Sequence, residues 1–153
     1  RLKLVSAYRW AGDDVTAIMA PQQLLSDVPN DQTQLRARTL LTIAWSRIGK
    51  VAYWRHFDDP DLIRGYEEAD EAFKLANDPL VKFSASYAKA YSLAFRPKQD
   101  TEAMFKLLTE ARQWYQKIPG ADNQSWAYML QNDTLKGYIK TDPAFQSLLI
   151  SSS

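Results

Sequence analysis

The sequence predicts an all-α protein, built of stacked antiparallel helical hairpins and closed by a short C-terminal helix. Three observations lead there. Apolar residues recur three or four apart along most of the chain, which is the helical period. Seven prolines, at positions 21, 29, 60, 79, 97, 119 and 143, cut that pattern together with the glycines into pieces of helix length. Strand-like alternation is scarce, and no Asn-Gly or Asp-Gly hairpin turn occurs.

The elements follow in order. A first helix is expected over Leu2 to Ala11, stopped by Gly12. Asp13 or Asp14 caps a second helix running to Ser26, and Pro21 should kink or shorten it by removing a hydrogen bond and crowding the preceding turn. After the loop "DVPND" a long helix covers Gln32 to Arg55, and "HFDDPD" breaks it. Leu62 to Leu75 is the next helix, "NDP" a second break, and Leu80 to Phe95 a further helix ended by "RPKQD". Thr101 is a suitable cap for a helix to Lys117. Beyond the turn "IPGADN", shorter helices are expected over 124–131, 134–139 and 143–149, with Pro143 in the first turn of the last.

A chain of 153 residues can bury the core of one ordinary domain, and an apolar content of 46% with 24% charged residues is that of a globular protein. The net charge of +1, with acids and bases interspersed, disfavours nucleic acid as a partner, because neutralising several phosphates calls for a basic excess. The absence of cysteine excludes disulfides, thiolate metal sites and cysteine nucleophiles. No apolar run reaches the length of a membrane span. The first residue is Arg1 rather than Met, which suggests a processed form or a piece of a longer chain.

Residue sets that carry chemistry are few. His56 stands beside Asp58, Asp59 and Asp61, but the spacing fits no metal motif, and the segment reads as an interhelical loop with a helix cap. There is no Gly-x-Ser-x-Gly elbow, no Gly-rich phosphate loop and no His-Glu-x-x-His. The carboxylate pairs Asp13/Asp14 and Glu67/Glu68 are adjacent, as suits caps and exposed faces. The expectation is therefore of no enzyme, no metal and no cofactor.

The stretch "GYEEADEAFKLANDP", Gly65 to Pro79, carries small and large residues at set intervals: Ala69, Phe73, Ala76 and then Pro79. It resembles the second helix of a tetratricopeptide repeat, a pair of helices in which small residues let the partners approach and large ones fill the gap to the next pair. "WSRIG", with Trp45, Ile48 and Gly49, is similar to the first-helix signature of that family, although about eight extra residues separate the two and Pro79 comes two early. A third unit matches at Tyr91, Ser92 and Phe95, then at Met104, Leu108 and Ala111, with Ala76 and Ala111 35 apart. An opening unit with its start missing matches at Leu4, Tyr8 and Ala17 and departs at Val5, Pro21 and Leu24. The tail resembles the segment that closes many bacterial members of the family, at Asp142, Pro143, Phe145, Leu148 and Leu149. On this reading Ala69, Phe73 and Ala76 are core, and Glu67, Glu68, Asp70 and Glu71 form a solvated face favoured by the helix dipole.

The resemblance implies a superhelix of about three degenerate repeats that acts as a scaffold, holding a peptide or protein in a concave groove. Mapped by repeat position, the groove side would carry Ser6, Arg9 and Trp10, then Ser46, Lys50, Tyr53 and Trp54, then Lys89 and Arg96. Trp, Tyr and Arg are the types most enriched in binding hot spots, and a row of bases would suit an acidic partner. The competing expectation is that Tyr8, Trp10 and Trp54 are inter-repeat core. The Asn positions of the clamp that grips chaperone C-termini are missing, so that role is not implied. Two alternatives from other classes stand beside the scaffold: a helical, extracytoplasmic small-ligand or transport-associated domain with an aromatic pocket, and an accessory domain of a larger enzyme.

Overall fold

Helices make up all the regular structure in the computed structural model, which describes residues 23, 25–54, 60–96, 100–131 and 143–149. Helix α1 spans Thr33–Trp54, α2 Asp61–Leu75, α3 Pro79–Ala94, α4 Thr101–Tyr115 and α5 Asn123–Gln131. A single turn, α6 (Pro143–Gln146), runs into a 3-10 turn at Ser147–Leu149. The two helices expected before Ser26 and the one over 134–139 lie outside the described residues, apart from a few positions at the end of the former.

Local chemistry explains where the helices begin and end. Asp78 caps α3 by accepting from the Leu80 amide at 2.9 Å, and Pro79 takes the first helical position, where a missing N–H costs nothing. Asp100, rather than the expected Thr101, caps α4, accepting from the Ala103 amide at 3.0 Å. Asp122 likewise receives the Ser125 amide at 2.7 Å at the start of α5. The turn between α4 and α5 places Gly120 at φ 80°, a left-handed conformation that glycine adopts without steric cost.

The pairing of contacts gives the topology. From α1 to α2, Gln34 meets Leu75 and Asn77 while Lys50 meets Asp61, so the helices run antiparallel. From α2 to α3, Phe73 meets Lys82 and Tyr66 meets Arg96, again antiparallel. Arg38 reaches Asp78 and Trp45 reaches Ser84, so α1 and α3 run parallel. Helix α4 then packs on α3, and the closing turn lies against α4 and α5.

Helix α2 sits close to α1 because its contact face is made of small residues. Gly65, Ala69, Ala72 and Ala76 are all buried. A Cβ on Gly65 would stand 3.0 Å from the Ile48 Cγ1 and 3.3 Å from the Ala44 carbonyl oxygen. Ala44, Ile48, Val51, Leu62 and Ala69 form one cluster. A larger one holds Ala90, Leu93 and Ala94 of α3 with Met104, Leu107, Leu108 and Ala111 of α4. The chain end completes it: Phe145 meets Phe105 edge-on at 5.8 Å, and Trp126 donates its indole N–H to the Leu148 carbonyl at 2.8 Å. Phe73, expected in the core, is only half-buried.

Replacing Ala69 with Leu should overpack the α1–α2 contact and cost about 1–3 kcal/mol, which thermal denaturation would read as a drop of several degrees. Gly65→Leu should cost at least as much, since a backbone carbonyl lies in the path of its side chain. An unchanged melting curve for both variants would mean that the helices do not cross there.

Candidate functional site

The residues mapped to a groove by repeat position do not line one free face. Arg9 and Trp10, like His56, Asp58 and Asp59, lie outside the described residues. Tyr53 and Trp54 close α1, and their side chains lie outside what the structure describes. Ser46 is fully buried, with its hydroxyl donating to the Thr42 carbonyl one turn back. Lys50, Lys89 and Arg96 all turn towards α2, Lys50 from the α1 side and the other two from the α3 side. Two of these cations are neutralised within the chain, Lys50 by Asp61 and Lys89 by Asp70.

Those pairs correct the expected solvated face of α2. Glu67 and Glu71 are exposed, but Glu68 and Asp70 are half-buried and ion-paired. At the α1–α2 seam, buried Arg47 donates to Glu68 at 2.5 Å and to Asp61 at 3.1 Å, while Lys50 meets the second Asp61 oxygen at 2.6 Å. Burial pushes the Asp61 carboxyl up, but the hydrogen bonds and charges of Lys50 and Arg47 outweigh it and hold the group below its ordinary value. At Glu68 burial prevails over Arg47, and the group lies above its ordinary value.

A second arrangement joins α2, α3 and α4. Lys82 and Lys89, seven residues apart, fall on one stripe of α3, with Arg96 following two residues past its end, while Tyr66 and Phe73 share a stripe of α2. The two stripes interleave. The Tyr66 ring has Arg96 at 5.5 Å and Lys89 at 5.8 Å from its centre. Phe73 has Lys89 at 5.0 Å and Lys82 at 4.2 Å. Trp114 of α4, edge-on to Phe73, has Lys82 at 5.2 Å and Lys117 at 4.2 Å. Each ring thus has two cations within 5.8 Å of its centre, each contact worth about 0.5–2 kcal/mol according to its exposure. The Lys82 ammonium also donates to the Phe73 carbonyl at 3.0 Å. The carboxylate within this row is Asp70, shared by Lys89 and Lys74 at 3.0 Å each. Desolvation raises Asp70, but those two bonds outweigh it and its carboxyl lies below the ordinary value.

A third feature is the shared face of α1 and α3. Trp45 donates to the Ser84 hydroxyl at 3.0 Å and packs on Tyr87 and Tyr91, with ring centres 6.1 and 5.8 Å away. Phe83 carries the contacts inward to Tyr115 and Trp126, so the strip passes from the half-buried Trp45 and Tyr91 into the core, where Tyr87 and Trp126 are buried. Arg38 and Leu80 stand exposed at its edge, Leu80 at 53%. The positions on α1 are one residue away from those expected: Trp45 rather than Ser46 looks across to α3. One residue is about 100° of helix rotation, enough to turn Ser46 and Lys50 away from this face.

Among the described residues no group of three or more His, Asp or Glu could hold a metal ion, and no helix is long and apolar enough to cross a membrane. Asp61, from the acidic loop noted in the sequence, is committed to Arg47 and Lys50. No protein-family model matches the chain, and no curated protein or solved structure matches it.

The carboxylates make opposite contributions to stability with pH. Asp61 and Asp70, with lowered folded values, stabilise fully above about 3.8, and that contribution is lost as pH falls through their folded values. Glu68, with a raised value, favours the fold below about 4.5 and less as pH rises through its folded value. Asp61→Asn should therefore destabilise at neutral pH, near the lower end of the ~3–5 kcal/mol for breaking a buried pair, because Glu68 still holds Arg47. Glu68→Gln should cost less. Urea denaturation at pH 7 and pH 3 checks both, with the Asp61→Asn deficit shrinking at the lower pH.

Proposed function

We propose that this chain is a tetratricopeptide-like scaffold module that binds a segment of another protein on the shared face of α1 and α3. The observation that carries the reading is the order of helix contacts. From α1 to α4 each helix packs antiparallel on the next, and the first helices of the two hairpins, α1 and α3, lie side by side and parallel. Stacked hairpins of a solenoid need that arrangement, which leaves the first helices to form one continuous surface. Half-buried Trp45 and Tyr91 on that face, with exposed Arg38 beside them, are of the residue types enriched in binding hot spots, and exposed Leu80 adds apolar area.

A photo-reactive amino acid at Leu80, compared with one at equally exposed Ile63 on α2, tests the reading in the source cells. A single protein adduct from position 80, absent from position 63, is expected, and Arg38→Glu should reduce it. If native mass spectrometry instead finds a bound low-mass compound and no protein adduct forms from position 80, the small-ligand alternative takes its place.

A further inference from the structure

We propose that the cation–aromatic row on the α2–α3–α4 side is a second docking surface, and that its occupant is an acidic segment of a partner protein, rich in Asp and Glu. This surface is separate from the α1–α3 face and does not depend on the use assigned to that face. Lys82, Arg96 and Lys117 have no carboxylate within salt-bridge distance among the described residues, and Asp70 already serves two lysines. The row is therefore short of negative charge, although the whole chain is nearly neutral. The rings hold the cations in place but do not cancel them: a π face attracts an ammonium group and leaves its charge intact.

The most accessible part is the end at Trp114. Lys117 is exposed, Lys82 is half-buried, and their ammonium groups lie 4.2 and 5.2 Å from the same ring centre. A carboxylate approaching the rim of Trp114 would meet two preoriented cations whose long side chains have already lost much of their freedom, so less entropy is spent on binding. Arg96 marks the other end, with its Nε buried and without a hydrogen-bond partner among the described residues. It lies two residues past the end of α3, roughly 20 Å from Lys82. An extended acidic segment of six or seven residues spans that length at about 3.3 Å per residue. Single-stranded nucleic acid, which also likes cations mixed with rings, needs open ring faces for its bases; here each ring already has two cations beside it.

The test uses fluorescently labelled polyglutamate of about twelve residues, with polyglutamine and oligothymidylate of the same length as controls, read by anisotropy at two salt concentrations. Polyglutamate should bind saturably, more weakly at high salt, and lose about tenfold in affinity in Lys82→Gln/Lys117→Gln, as expected when two partly exposed pairs are removed. Lys117→Gln alone, at an exposed position that cannot disturb the core, should lose about threefold by the same reckoning. Unchanged affinity in Lys117→Gln and in the double variant would overturn the proposal. So would equal binding of polyglutamine, or oligothymidylate binding more tightly than polyglutamate.

Discussion

The close approach of α1 and α2 is the constraint on which the rest depends. Gly65 and Ala69 bring α2 so near to α1 that the Ile48 side chain and the Ala44 carbonyl fill the contact. With the helix held there, its flanks are assigned. One flank meets Arg47 and Lys50, and the other meets Lys82, Lys89 and Arg96. A helix with acids on both flanks and small residues between becomes the centre to which cations from both neighbours turn. The face shared by α1 and α3 is what remains once those demands are met.

Much of this architecture was legible in the sequence. The breakers at Pro60, Pro79 and Pro143 and the apolar period between them give α1 to α5 to within about two residues at each end. The stripe of Ala69 and Ala76 was readable as a close contact because nothing else explains small residues at that spacing. Phe145 and Leu148, named as part of a closing segment, are buried against α4 and α5.

The site was less legible, for two physical reasons. A groove mapped by repeat position is sensitive to helix rotation, and a shift of one residue replaces Ser46 by Trp45 as the side chain that crosses to α3. The pairing of charges is also a property of neighbours. Glu68 and Asp70 look like any acids early in a helix until Arg47 and Lys89 are seen opposite them. The seven-residue spacing of Lys82, Lys89 and Arg96 was present in the sequence, as was that of Tyr66 and Phe73. Each stripe alone is an ordinary pattern, and only the antiparallel pairing of α2 with α3 interleaves them. Phe73 is half-buried for the same reason: its ring forms a wall for two lysines rather than a plug for the core.

The hydrogen bond from Trp126 to the Leu148 carbonyl has a consequence for how the packed helices are covered at this end. The outer side of a helix pair is an apolar face that some further piece of chain or another molecule must cover. Here a short turn with Phe145 and Leu148 covers it, and an indole fastens the turn through the backbone. Because the bond is made to a carbonyl, it is indifferent to which side chain residue 148 carries. It fixes the depth to which the turn enters, while Phe145 supplies the fit. The turn can thus vary in sequence at its rim and still be held against the helices it covers.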